Sequence, residues 1–402
     1  MKKTRRAFAA VLMSAALLMT GCAGGGTSSE QTTAATDSSI TTTESEDMAQ
    51  TYAFRPSEEN VKLIGRTSVY EGILWLALSA SGVEFTYNGT GFNVNIIGDS
   101  MISQGKDKQA RFAVYVDGER IADEQVTEAE KKYEFVTSEE AKPTTVKIIK
   151  LSEAAESTMG LGKITVTGTD VKPTAEKDLK IEFIGDSITC GYGVDDEVKE
   201  HHFSTSTEDA TKAWAYKAAQ KLDADYSLVS YSGHGIISGY SGDGNKVTSQ
   251  LVPKIYSQFA KSYGNYDGMF SVSTVKWDFS KFQPDFVVIN LGTNDASYCG
   301  ADKEKAADYT AQYVEFLKTV REKNPDAHII CALGVMGDSL YPALKMAVEN
   351  YTAETGDAKV SHLRLTPQNG STGYAADWHP TEATHEIASD ELVAEIQRIM
   401  AE

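Results

Sequence analysis

The sequence predicts an α/β protein in two parts: a β-sandwich of jelly-roll type, then a three-layer α/β/α domain around a parallel sheet. Three observations carry this. Apolar residues recur with period two between residues 60 and 170. After residue 178, near-continuous apolar runs alternate with stretches rich in helix formers. Between the two lies VTGTDVKPTAEKD (166–178), a polar segment with Gly and Pro that marks a boundary.

The chain starts outside both parts. Lys2, Lys3, Arg5 and Arg6 precede an apolar stretch from Ala7 to Met19, shorter than the ~20 residues a spanning helix needs. Residues 1–21 therefore read as an export signal. LMTGC resembles the bacterial lipobox, which implies lipidation of Cys22 and a lipid anchor at the outer face of the cell membrane; an ordinary cleaved signal with a chance cysteine is the alternative. Residues 22–50 are Gly, Ser, Thr and acidic residues with almost nothing apolar. Such a segment cannot offset its ordering entropy by burial and reads as a flexible tether. The remaining chain, about 350 residues, is long for one core and implies two domains, 51–172 and 178–402.

A formal net charge of −19 argues against nucleic acid and against an anionic bilayer surface as partners. Beyond Cys22 only Cys190, Cys299 and Cys331 remain, too few and odd in number for a disulfide framework. A single Cys190–Cys299 bridge stays open, because both follow strand ends.

In the first part Val83, Phe85 and Tyr87 alternate up to Asn88-Gly89, followed by Phe92, Val94 and Ile96. Phe112, Val114 and Val116 lead into Asp117-Gly118, a short-hairpin signal. Val146 with Ile148, and Ile164 with Val166, continue the period. A sandwich of this kind binds carbohydrate or serves as support, and no aromatic stripe decides between them. In the second part LKIEFIG (179–185), YSLVSYS (226–232), PDFVVINLG (284–292), HIICALG (328–334) and VSHLRL (360–365) read as strands. Helices are expected at 208–222, at 303–323, where Ala306, Tyr309, Tyr313, Phe316 and Val320 share a face before Asn324-Pro325, and at 381–400. Ligands of such sheets bind beyond the carboxyl ends of the strands.

The chemistry-bearing residues fall at those ends: Gly185-Asp186-Ser187, then YSGHG with Gly233 and Gly235, LGTND with Asn294 and Asp295, and ADWHP with Asp377 and His379. GDSIT, the glycine of YSGHG, GTND and the terminal histidine resemble the four blocks of the SGNH (GDSL) hydrolase superfamily over 178–402. GDSITCGYG, VVINLGTND and DWHP, behind a β-sandwich, resemble carbohydrate esterase family 2. The resemblance implies a flavodoxin-like second domain and a serine-dependent O-acetyl esterase. Its implied substrate is acetylated hemicellulose such as xylan or glucomannan, with 6-O-acetyl groups favoured. The competing expectations are the same chemistry on cell-wall O-acetyl groups or small aryl and lipid esters, and a glycan-binding surface lipoprotein with a vestigial site.

The chemistry gives each residue a task. A serine hydroxyl needs a base, and His379 is the candidate for Ser187. The tetrahedral oxyanion needs donors in place: the Ser187 and Gly233 N–H groups and the Asn294 amide, with Gly235 open as a substitute for Gly233. Asp377 is expected to orient His379. The superfamily spacing puts the acid three residues before the histidine, where this chain has Ala376; Asp377 is two before it. Pro380 pushes His379 towards extended backbone, in which i and i+2 share a side. A backbone carbonyl orienting the ring is the alternative. Asp186 and Asp295 are expected to hold loops through backbone N–H groups, His234 has no assigned role, and Trp277 and Trp378 read as packing rather than sugar platforms. No metal and no cofactor are expected: His379 and His385 lack zinc-ligand spacing, His201-His202 lacks matching acids, and no Gly-rich phosphate loop is present.

Overall fold

The computed structural model describes residues 50–402, so the leader, Cys22 and nearly all of the tether lie outside the described residues. The first part comprises β1 Thr51–Phe54, β2 Lys62–Ile64, β3 Thr67–Tyr70, β4 Ile73–Leu76, β5 Gly82–Gly98, β6 Arg111–Val116, β7 Glu119–Gln125, β8 Glu130–Val136, β9 Lys142–Lys150 and β10 Met159–Pro173. They form one curled antiparallel sheet in the order β3-β4-β10-β5-β9-β6-β7, with β1 on β10 and both β2 and β8 on β5. Curling depends on β5, which pairs with β9 over Gly82–Gly89 and then changes partner to β8 over Gly91–Ile97. A side chain at Gly89 could not survive this turn-over, since its Cβ would lie 2.1 Å from the Thr167 carbonyl oxygen. The period-two residues Phe85, Val94, Phe112, Val146 and Ile164 all face the core inside the curl. Asp117 (φ 50°) and Gly118 (φ 87°) make the expected hairpin turn.

The second part carries β11 Leu179–Gly185, β12 Ala224–Ser230, β13 Phe286–Asn290, β14 His328–Leu333 and β15 Val360–Arg364. All pair in parallel, in the order β12-β11-β13-β14-β15, the flavodoxin-like arrangement. Its helices are α1 Ser187–Cys190, α2 Trp214–Lys221, α3 Val252–Ile255, α4 Thr293–Cys299, α5 Lys303–Lys323, α6 Tyr341–Thr355 and α7 Glu382–Met400. Strand residues alternate between two helical layers: Val287 and Ile289 pack with α5 and α6, Phe286 and Val288 with α2 and α7. Both faces are covered, which is why these strands read as unbroken apolar runs.

One expectation changes. The helix predicted at 208–222 is shorter, because Asp209 is drawn to Arg120 at 2.8 Å and Glu208 to the Glu153 N–H at 2.8 Å, so the regular helix begins only at Trp214. The two predicted parts, one around each sheet, pack into one compact unit, Ala49–Glu402. Its core is continuous: Ile64, Ile149 and Leu151 of the first part pack with Ile181, Phe183 and Trp214 of the second, and Trp75 packs with Tyr231 and Phe270.

A buried charge crosses the same seam. Arg66, fully buried just before β3, pairs with Glu182 of β11 at 3.2 Å and donates to the Tyr256 and Gln258 carbonyls at 2.6 and 2.8 Å. Its guanidinium lies 5.1, 5.4 and 5.0 Å from the Tyr256, Trp277 and Phe279 rings, so Trp277 is packing, as expected. Removing one partner of a buried pair leaves the other charge uncompensated. Arg66→Ala is therefore expected to cost about 3–5 kcal/mol in a urea titration, with both sheets losing structure in one transition. A loss below about 1 kcal/mol would show that the pair is solvated in solution.

Candidate active site

Each candidate residue is positioned by a strand end. β11 stops at Gly185, where a Cβ would sit 2.1 Å from Thr189 Oγ1, so the chain can turn sharply into α1. Asp186 caps that helix by accepting the Ile188 N–H at 3.1 Å and leaves Ser187 as its first residue. Asp186 directly follows β11, and Asn294, in α4, follows β13; these two strands flank the point where the strand order reverses, which is where ligands of this sheet class bind.

Ser187 Oγ lies 2.8 Å from His379 Nε2. The other ring nitrogen, Nδ1, faces the Ala376 carbonyl oxygen at 3.1 Å. That carbonyl also accepts the His379 backbone N–H at 3.0 Å. The expected i, i+2 pairing of Asp377 with His379 is thus not formed; the carbonyl orients the ring. The reason is backbone conformation. His379 is extended (φ −71°, ψ 166°), as Pro380 dictates, but Asp377 (φ 49°) and Trp378 (φ 62°) are left-handed, so the alternation of an extended strand does not hold.

Asp377 instead accepts from the Tyr192 hydroxyl at 2.5 Å and meets His202 Nδ1 at 2.9 Å. Tyr192 in turn stacks on His379, with ring centroids 3.8 Å apart and planes 16° from parallel. Asp377 therefore reaches the imidazole through an aromatic ring. The His201-His202 pair, read as lacking acids, has one for each member, Asp196 and Asp377, in two separate contacts. Tyr192 stands inside the quoted GDSITCGYG stretch without a role; its signal is only its closeness to the nucleophile.

The donors for an oxyanion are sorted by what they already bind. Among the described residues the Ser187 and Gly233 N–H groups donate to no protein acceptor, whereas the Gly235 N–H donates to the Gln250 carbonyl at 3.1 Å. Gly233, left-handed at φ 73°, is thus the free amide of the YSGHG loop. Asn294 Nδ2 donates to the His234 carbonyl at 2.9 Å and more loosely to Asp186 Oδ2 at 3.2 Å. Asp295 behaves as a loop holder, its carboxylate accepting the Ile236, Ile237 and Ser238 N–H groups at 2.7–3.0 Å. Trp378, half-exposed, lies beside His379 under the Lys199 ammonium, which is 4.1 Å from its ring.

Burial sets the electrostatics. It pushes the His379 imidazole down to about 4, against smaller opposing effects of the Ala376 carbonyl and Asp377, so the ring is a neutral base at ordinary pH. It pushes Asp186 up to about 7. Cys190, Cys299 and Cys331 are free thiols, so the Cys190–Cys299 bridge is absent. Among the described residues the one group able to surround a cation is Glu153, Cys190 and Glu208, all buried, with ligand atoms within 4.8 Å of one another.

Fold and site together define a serine hydrolase whose nucleophile and base meet at the carboxyl edge of a parallel sheet. Residues 183–387 match the GDSL-like lipase/acylhydrolase family and residues 63–174 match the carbohydrate esterase 2 N-terminal domain; the chain belongs to the GDSL-like lipase/acylhydrolase family. It is 34% identical over 331 residues to the cellulase/esterase CelE of Acetivibrio thermocellus, covering 80% of this chain but only 37% of that protein. It is 25% identical over 359 residues to an acetylxylan esterase / glucomannan deacetylase of Cellvibrio japonicus, covering 88% and 92% of the two chains. A family two carbohydrate esterase from Clostridium thermocellum, solved in complex with cellohexaose, superposes with a TM-score of 0.73 at 30% identity, covering 85% of this chain and 99% of that one.

The carbonyl-oriented histidine makes a double prediction for ester hydrolysis. Asp377→Ala should lower kcat less than about tenfold, far from the ~10⁴ seen when a true triad acid is changed. The neutral imidazole is the active form and is lost as pH falls through its folded-state pKa, so the acid limb of kcat/KM should lie near about 4 rather than the ~6.5 of a free histidine. A kcat loss of about 10³ or more, or an acid limb at or above the free-histidine value, would return Asp377 to the triad.

Proposed function

We propose that the protein is a carbohydrate O-acetyl esterase that removes acetyl groups, with 6-O-acetyl groups favoured, from hemicellulose such as xylan or glucomannan. The observation that carries this is the 2.8 Å contact between Ser187 Oγ and His379 Nε2 beside two unpartnered amides. Ser187 attacks the acetyl carbonyl while His379 Nε2 takes its proton. The oxyanion that develops is received by the Ser187 and Gly233 N–H groups and by Asn294, which exchanges its looser bond to Asp186 for the new one. As the tetrahedral intermediate collapses, the acetyl C–O bond breaks and the His379 imidazolium gives its proton to the departing sugar oxygen, which leaves as a hydroxyl and an acetyl-enzyme remains. Water attacks this ester with His379 again as base, and acetate leaves. No step requires a metal or cofactor. The acetylxylan esterase / glucomannan deacetylase relative and the cellohexaose-bound neighbour favour a polysaccharide over a small ester.

The test is acetate release from acetylated xylan, acetylated glucomannan and a chromogenic aryl acetate. Hydrolysis of the polysaccharides should be favoured by kcat/KM, and Ser187→Ala should abolish it, leaving at most the ~10³–10⁴-fold residue over water that an oxyanion site retains, with an unchanged thermal transition. Near wild-type acetate release by that variant ends the assignment. Activity confined to the aryl ester moves the substrate to small esters.

The same proposal places the enzyme outside the cell, held by lipid on Cys22 with residues 23–50 as tether. What supports this reading is the basic and apolar leader followed by LMTGC at Cys22; no helix among the described residues is long and apolar enough to cross a membrane. Cys22→Ala should shift the protein from the membrane fraction to the soluble fraction, and continued membrane association would remove the lipid anchor from the proposal.

A further inference from the structure

Ser232 precedes the oxyanion glycine, and both of its backbone polar groups are held by side chains. Its N–H donates to Glu153 Oε2 at 2.7 Å. Its carbonyl oxygen faces His234 Nδ1 at 2.9 Å. Glu153 does not belong to the hydrolase domain: it lies between β9 and β10, in the segment that matches the carbohydrate esterase 2 N-terminal domain.

We propose that Glu153 and His234 are positioning residues of the oxyanion site, clamping Ser232 at both ends so that the Gly233 N–H stays aimed at the substrate. A trans peptide is planar, with its C=O and N–H pointing in opposite directions. Fixing the Ser232 carbonyl therefore fixes the direction of the Gly233 N–H in the same plane. Fixing the Ser232 N–H anchors the preceding peptide plane, so Ser232 is held on both sides and cannot swing as a whole. The histidine is set for its part by Lys261, whose ammonium lies 3.2 Å from His234 Nε2. An ammonium can only donate, so Nε2 accepts and Nδ1 carries the proton given to Ser232. Burial pushes the His234 imidazole down to about 4, which keeps Nε2 free to accept.

The surroundings of Glu153 are costly for a group with only a packing role. It is buried with Glu208, whose Oε1 has no partner, and with Cys190, whose Sγ is 3.6 Å from Glu153 Oε2. Burial pushes the Glu153 carboxyl up, and Lys150, itself fully buried and lowered to about 8, supplies the compensating charge while donating to the Ser152 and Glu153 carbonyls at 2.6 and 2.8 Å. An apolar side chain would fill this space without these costs. What it could not supply is an acceptor for the Ser232 amide.

The inference rests on the esterase reading, so the experiment first requires that the wild-type enzyme release acetate and that Ser187→Ala not do so. Acetyl ester hydrolysis is then compared for Glu153→Leu, Glu153→Gln and His234→Phe. The oxyanion forms only after attack, so a misdirected donor should lower kcat on the order of tenfold to a hundredfold with KM within about twofold. Glu153→Gln keeps an acceptor oxygen and should recover to within about fivefold of wild type. A phosphonate transition-state analogue should lose affinity in step with kcat, whereas acetate, the product, should not. Wild-type kcat in folded Glu153→Leu and His234→Phe overturns the clamp, as does a change confined to KM. Should Glu153→Leu fail to fold because Lys150 loses its counter-charge, His234→Phe decides alone, since it acts directly on the Ser232–Gly233 peptide that carries the donor; kcat within about threefold of wild type there also overturns the proposal.

Discussion

The hydrogen bond between Ser187 Oγ and His379 Nε2 joins groups 192 residues apart in sequence, and the architecture is organised around bringing them together. A parallel sheet ends all its strands at one edge, so the turn after β11 and the loops after its neighbours are delivered to the same crevice. On the serine side, Gly185 and the Asp186 cap make the turn tight enough to present a side chain at the first position of α1. On the histidine side, one carbonyl, that of Ala376, fixes both the main chain and the ring. Tyr192 covers one ring face, so the imidazole is limited by a hydrogen bond at each nitrogen and by a stacked neighbour.

The N-terminal sheet is part of this arrangement rather than an appendage. A separable domain would meet its neighbour through a modest, polar surface. Here the seam holds Trp75, Leu151 and Phe183, all fully buried, and a buried Arg66–Glu182 pair that enters β11 itself. The strand that ends at the nucleophile is therefore braced along its length by residues of the first part. The same seam allows Glu153 to reach the loop that follows β12, linking the curled sheet to the oxyanion donors.

Much of this was legible in the sequence, and for identifiable reasons. Strands buried on both faces leave continuous apolar runs, and strands of the curled sheet leave alternation, so both halves could be assigned from period alone. Ser187, Gly233, Asn294 and His379 stood at strand ends, where a crevice is geometrically required. Helix α6, not among the helices expected from sequence, has such a signal in Leu344, Ala347, Val348 and Tyr351, all buried at helical spacing. Other features had no local signal. Two successive left-handed residues that are not glycine, Asp377 and Trp378, cannot be inferred from side-chain type, and they alone turn Asp377 from His379 to Tyr192. Chain length indicates two domains but cannot report that the surface between them is apolar.

Replacing a carboxylate by a carbonyl next to the imidazole changes where catalytic stabilisation has to come from. A carboxylate would raise the histidine pKa and stabilise the imidazolium formed when Ser187 loses its proton. A carbonyl dipole does less of both, and burial then dominates, which is why the ring stays neutral down to about 4. Tyr192 offers its π face to the charged ring, with its hydroxyl bound to Asp377, and so returns part of the missing stabilisation. That contribution is smaller than a direct ion pair, and the base is correspondingly weaker. The balance falls on the other charge of the transition state, the oxyanion, whose donors are fixed in advance. A weak base is tolerable only where those donors are held rigidly, and the Gly233 amide, with Ser232 bound at both its N–H and its carbonyl, meets that condition.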